Sequence, residues 1–511
     1  MNSNLGNREE TASPAASVWP AQPPSRRYRA RKNARKGKSV APPTGIPGYY
    51  AWLFLIGVCT LISYYCLFNP NKRPFEILCL SSCVLGIGCL PMVWFLWRGR
   101  TYQIPVLAIH CLFLAVCFGF SGFLHIPFIN ENMSVGDEDI AHALICTLLG
   151  LACLLAGYFA AERLFGNRIR PWNPQWQMRP GSLVLLGWIS AVMGYAATIM
   201  GAKMGAKMGT SAFGQIGPIL FTLGFFLLLT LALEKKTSIL SRIAVYLFLA
   251  PFVLLYNSGF RTGQLAGLVT ILCWISLVIL RTNGKVSWPL ILGACVFFLV
   301  FQPVKFYVRE ASWGEDRDLS LRASITAYAD GFQQYYGSSK EMAAGAGANL
   351  EGSFTRINHL VTTAAIIRNT PSPIPFLNGR SYVLLLTKPI PRFLWPGKPQ
   401  EQFGNDWAQR YGFLGQDDHS TSLNLPWLPE MFMNFGWAGV GIIMFLLGVI
   451  YHLLWSKYMS QPGSVVQYVF GLNIASLIVF TESNLSLMFG GVIILFIFVW
   501  ALGLFLRHAV M

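Results

Sequence analysis

"AWLFLIGVCTLISYYCLF", Ala51–Phe68, runs for eighteen residues without one charged side chain. A helix that crosses a bilayer needs about 20 mostly apolar residues, and this stretch reads as such a span. The same pattern recurs at Glu76–Trp97, Ile104–Leu124, Ala141–Phe159, Gly181–Met200, Ile216–Leu233, Ile239–Tyr256, Thr262–Leu280 and Trp288–Phe306. After a long interval come Met431–Trp455, Val466–Thr481 and Leu485–Leu506. The expected fold is an all-α polytopic membrane protein of about 12 transmembrane helices.

Composition supports this. Of 511 residues, 54% are hydrophobic and 12% charged, and mean hydropathy is +0.48. A soluble domain carries about 25% charged residues, so a soluble enzyme is excluded. The first 45 residues are polar, and no cleavable signal peptide is expected there. Much of the +17 net charge lies in "SRRYRARKNARKGK", Ser25–Lys38, with eight Lys or Arg. It reads as a disordered cytoplasmic tail held on the anionic lipid bilayer, and not as a nucleic-acid-binding arm. The eleven cysteines fall in or beside spans without metal-binding spacing and read as small apolar packers.

The chain divides into the tail, residues 1–47, nine spans over 48–307, a large loop over 308–429 and three spans over 430–511. With the tail inside, "WRGRTYQ", "LEKKTSILSR", "RTNGK" and "WSKYMS" become inner loops, each with Lys or Arg, and both termini are cytoplasmic. The outer loops then include "NENMSVGDED", "TESNLS" and the large loop of about 120 residues, a length that usually signals function. Within it, Leu321, Ile325, Tyr328, Phe332 and Tyr335 share one helical face. "SFTRINHLVTTAAIIRN" reads as a helix capped by Ser353, and "GRSYVLLLT" as a short helix stopped by Pro389 and Pro391.

Outer-face cations run against the positive-inside bias. Arg261 opens the eighth span, Lys305 and Arg309 share a face at the end of the ninth, and Arg356, Arg380, Lys388, Arg392, Lys398 and Arg410 follow in the loop. A lipid-linked diphosphate at the outer interface would account for them, since the guanidinium fork matches phosphate oxygens; ion pairs with the loop's acids are the competing explanation. Three groups could take a proton. His359 lies three residues after Arg356, His419 follows Asp417 and Asp418, and Glu430 sits in the first turn of the tenth span. "DED", Asp137–Asp139, resembles a metal-holding motif but is commoner as a solvated acidic loop, so no metal and no cofactor are expected. P-loop, HExxH and GxSxG motifs are absent.

"NGRSYVLLLTKPIPRFLWPGKP", Asn378–Pro399, and "LPEMFMNFGWAGV", Leu428–Val440, together with the many spans and one large late loop, resemble the Wzy-type bacterial polymerases of O-antigen and exopolysaccharide repeat units. The resemblance implies a glycosyltransferase-C-like architecture in the bacterial inner membrane. It implies glycosyl transfer from an undecaprenyl-diphosphate-linked oligosaccharide to a second lipid-linked unit on the periplasmic side, with release of undecaprenyl diphosphate. A flippase and a chain-length regulator would be partners in the same pathway. Arg392, with Arg261 and Arg309, would bind the donor diphosphate on a stiff elbow of Pro389, Pro391, Pro396 and Pro399. An O-antigen ligase, a transporter and a scaffold of an assembly complex stay open as alternatives.

Overall fold

A computed structural model describes residues 47–124, 135–166, 168–172, 179–208, 212–257, 266–301, 304–305, 321–336, 357–387, 390, 395, 397–398, 402–419, 421–461, 463–479 and 481–510. Every regular element among them is helical. In chain order these are α1 (Tyr49–Phe68), α2 (Phe75–Arg98), α3 (Val106–Phe123), α4 (Asp137–Phe165), α5 (Pro180–Met208), α6 (Ala212–Leu233), α7 (Ile239–Tyr256), α8 (Ala266–Asn283) and α9 (Trp288–Phe301). The segment between the ninth and tenth expected spans holds α10 (Leu321–Tyr336), α11 (Leu360–Asn369), α12 (Arg380–Thr387) and α13 (Phe403–Arg410). Last come α14 (Trp427–Met459), α15 (Val465–Val479) and α16 (Leu485–Val510).

Among the described residues, eight helices are long and apolar enough to cross a membrane: α1 to α7 and α14. Four shorter apolar stretches, Thr270–Asn283, Trp288–Phe297, Val465–Val479 and Leu485–Trp500, fall where the sequence puts the remaining spans.

In lipid, helices associate through close packing and buried hydrogen bonds, because burying apolar surface gains little there. Helices α4 and α14 approach until a Cβ on Gly157 would lie 2.0 Å from the Phe445 carbonyl oxygen, and one on Gly448 2.1 Å from that of Leu154. Gly194 and Gly224 do the same between α5 and α6. Buried polar groups tie the bundle further: His110 Nδ1 is 2.7 Å from the Tyr451 hydroxyl, which donates to the Ile478 carbonyl at 2.8 Å.

The bundle has two distinct ends. At the basic end the Ile104 N–H donates to Met459 O at 3.3 Å, the Trp172 N–H to Lys457 O at 2.8 Å, and Arg281 Nη2 to Gly463 O at 3.2 Å. Arg98 and Arg163, in the last turns of α2 and α4, and Arg100, Arg168, Lys235 and Lys236, in the connections that follow, also belong to this end. At the loop end the His359 N–H donates to Cys117 O at 3.2 Å and Arg73 Nη2 to Leu124 O at 2.6 Å. The "DED" acids lie here, in the first turn of α4 instead of a solvated loop. Asp137 pairs with Arg73 at 3.1 Å and Asp139 with Arg368 at 3.7 Å, and the helix N-terminus favours both carboxylates.

Candidate functional site

The site is built around a break in α14. Its first eight residues, Trp427 to Asn434, are buried. At Phe435 (φ −143, ψ 16) and Gly436 (φ 60, ψ −149) the backbone leaves helical geometry. A break frees carbonyls from their donors four residues on, and buried carbonyls must find others. Here the Leu377 N–H donates to Met433 O at 2.9 Å and the Asn378 N–H to Asn434 O at 3.2 Å. The Asn434 side chain completes the joint: its Oδ1 accepts from the Gly379 N–H at 2.9 Å, and its Nδ2 donates to Ser381 Oγ and to Glu430 O, each at 2.8 Å. The mating turn needs two successive left-handed residues, Asn378 (φ 50) and Gly379 (φ 85), the residue types that tolerate that region. The segments "FLNGRS" and "EMFMNFGW" therefore interlock.

Glu430 is fully buried, and its Oε2 accepts from the Leu485 N–H, the first of α16, at 2.8 Å. The carboxyl group thus sits in the first turn of one helix and against the N-terminus of another, where donors and dipoles favour an anion. Tyr382, on α12, lies over Phe435 with ring centroids 6.4 Å apart. Burial, with the Glu430 charge beside it, holds its phenol well above the usual 10.0. The phenol is therefore neutral.

The turn between α15 and α16 faces inward. Thr481, Glu482, Ser483, Asn484 and Ser486 are buried, and the Trp427 N–H donates to Thr481 O at 3.3 Å. Glu482 Oε1 lies 3.5 Å from His359 Nε2, with side-chain exposures of 12% and 8%. His359 immediately precedes α11, and Asn358 Oδ1 caps that helix by accepting from the Leu360 and Val361 N–H groups at 3.1 and 3.4 Å. Phe113 and Phe118 flank the imidazole at 6.1 and 6.4 Å between centroids. The 3.5 Å interval is longer than a formed hydrogen bond, so the two groups are neighbours and not a bonded pair. A carboxylate that accepts from one ring nitrogen fixes the tautomer and leaves the other nitrogen to accept a proton, and a shift of a few tenths of an ångström would close this pair to that arrangement. One short turn, Thr481–Leu485, joins the His359–Glu482 pair to Glu430.

The other expected residues are placed as follows. Helix α11 begins at Leu360, with Asn358 Oδ1 at its first N–H groups, and the expected cap Ser353 lies outside the described residues. His419 is exposed on its turn, and Asp418 Oδ1 accepts from the Thr421 N–H at 2.9 Å. Arg380 is exposed at the first position of α12, directly after the Gly379 turn. Lys305 is buried at the loop end of the ninth span. Lys398 is buried, and its Nζ donates to Ile390 O at 2.9 Å; Pro389, Pro391, Pro396 and Pro399 of the expected elbow lie outside the described residues. Arg261, Arg309, Arg356, Lys388 and Arg392 lie outside the described residues. Glu482, Asn434, Tyr382 and Asn358 are site residues that sequence reasoning passed over. Their signal was a cluster of polar residues, "TESNLS" above all, between segments otherwise apolar enough for lipid.

Beside the break lies an open depression of about 380 Å³ whose walls include His142, Thr370, Phe376, Phe432, Phe435 and Trp437. Its size is that of a small-molecule site.

The family described as "Domain of unknown function (DUF8712)" matches residues 114–503, and the chain belongs to that family. No curated protein and no solved structure matches the chain.

Proposed function

We propose that this member of the DUF8712 family is a membrane glycosyltransferase that polymerises undecaprenyl-diphosphate-linked oligosaccharide repeat units. The observation that carries the reading is the buried His359–Glu482 pair at 3.5 Å, linked through one turn to the buried Glu430 at the loop end of an apolar bundle. Glu482 holds the Nε2 proton, and Nδ1 is the base. A hydroxyl oxygen of the acceptor sugar attacks the anomeric carbon of the donor. The bond from that carbon to the diphosphate oxygen breaks, undecaprenyl diphosphate leaves, and the hydroxyl proton passes to His359. Arg392, with Arg261, Arg309 and Arg356, is the proposed partner of the leaving diphosphate, and Arg380 lies at the edge of the described site. Glu430 is in this reading a structural anion that holds α14 against α16, because its carboxylate already accepts the first α16 N–H.

In this reading the four shorter apolar helices also cross the membrane, for twelve spans in a glycosyltransferase-C-like arrangement with both termini on one side. The cations gathered at the basic end support that end as cytoplasmic and the loop end as periplasmic in a bacterial inner membrane.

The test is a gel profile of lipid-linked glycans from cells lacking the gene, complemented with wild type or His359→Ala. Single repeat units in the null and in the variant, with a ladder restored by wild type, are expected. A full-length polymer left on undecaprenyl diphosphate in the null identifies a ligase instead, and an unchanged profile in all strains removes the glycosyltransferase reading.

A further inference from the structure

A polymerase of this kind must seat two lipid-linked substrates, and the described site accounts for only one reacting centre. The depression beside the α14 break has the features of the second seat. The buried first eight residues of α14 do not face lipid; Phe435 and Trp437 are the first exposed aromatic side chains of the helix, 44% and 40% accessible, and from there it runs on as an apolar span. Exposed Trp at the start of a span marks the membrane interface. The depression therefore opens at headgroup depth, with aromatic walls from Phe376, Phe435 and Trp437.

No Lys or Arg among the described residues lines it, but two arginines contact residues next to its walls. Arg368 directly follows the lining residue Ile367, and its guanidinium is 45% exposed and 3.7 Å from Asp139, one turn before the lining His142 on α4. An exposed pair at that distance leaves the guanidinium able to engage another anion. Arg410 Nη2 donates to Pro375 O at 2.8 Å, next to the lining Phe376. The neighbouring Tyr411 hydroxyl lies 2.5 Å from Thr370 Oγ1, also in the wall. Arg forks suit phosphate oxygens, and aromatic walls suit an unsaturated hydrocarbon. His359 stands at the opposite end of α11, about 12 Å away for the eight residues from His359 to Ile367 at the helical rise. A substrate anchored here by its phosphate would reach the base with its sugar end.

We propose that this depression binds the isoprenyl-linked diphosphate of the acceptor; the acceptor role rests on the polymerase reading, whereas the lipid-phosphate site stands on its own geometry. The experiment uses the full chain in phosphatidylcholine vesicles with a photoactivatable isoprenyl phosphate. Crosslinks within residues 367–376 and 432–437 are expected. Excess undecaprenyl phosphate should suppress them at least tenfold more effectively than phosphatidylglycerol, and Arg368→Ala/Arg410→Ala should abolish them while His359→Ala leaves them intact. Absence of crosslinks there in wild type, or equal competition by phosphatidylglycerol, overturns the site. If the crosslinks behave as expected but purified protein makes no polymer, the polymerase reading fails and the lipid site survives. If polymer is made and the double variant makes it at the wild-type rate, the acceptor role fails.

Discussion

His359 is buried between two phenylalanine rings with a glutamate on one side, an environment that costs stability unless it serves chemistry. Replacing it with Ala should slow release of undecaprenyl diphosphate by purified protein by about 10²–10⁴-fold, the usual contribution of a positioned base. Glu482→Gln should also slow release, but less, because the amide can still accept from Nε2 without supplying charge. Both variants should elute as monodisperse protein, which separates chemistry from folding. Asn434 has a different part: it serves the backbone at Gly379 and Glu430 and the hydroxyl of Ser381. Asn434→Ala leaves buried groups without partners at about 1–3 kcal/mol apiece, and a lower thermal midpoint is the readout. Most of these residues could not be recognised from sequence, because Glu482 and Asn434 acquire meaning only when α11 and α12 fold onto the turns they touch. Arg380 and Glu430 were visible as charges in an apolar chain. The burial of Glu430 against the α16 N-terminus was not.

At the scale of the element, apolar length was readily legible. The span expected at Ala51–Phe68 is the helix Tyr49–Phe68, the one at Glu76–Trp97 is Phe75–Arg98, and the loop helix at Leu321 ends at Tyr336. The break in α14 was not, because its cause is the distant turn at Leu377–Ser381 that takes up the freed carbonyls. Gly436→Ala tests that joint. Its φ of 60 with ψ −149 lies in a region tolerated essentially by glycine alone, and the added Cβ would stand 3.1 Å from the Phe376 ring. A loss of about 1–3 kcal/mol is expected, against little change for Gly293→Ala, where a Cβ meets nothing within 4 Å. Thermal unfolding in detergent compares the two. Helix pairing makes a stronger demand. Gly157→Leu places a side chain where a backbone oxygen lies 2.0 Å from the Cβ position, so α4 and α14 must part. Loss of monodisperse protein by size-exclusion chromatography is the expected result.

For the whole molecule, the two ends divide the labour. One gathers Lys and Arg on short connections; the other closes buried polar groups under a layer of short helices. If the basic end is cytoplasmic, reporters fused at both termini should read as cytoplasmic and a tag at Gly415, on the exposed turn after α13, as periplasmic. The most direct test of the central claim is reconstitution of the full chain with a defined undecaprenyl-diphosphate-linked repeat unit, following chain length and undecaprenyl diphosphate release together. Wild type should yield a ladder with one lipid diphosphate released per bond formed, and His359→Ala neither. A ladder of equal length and rate from His359→Ala would contradict the assignment of the base, and no ladder from folded wild type would contradict the polymerase itself.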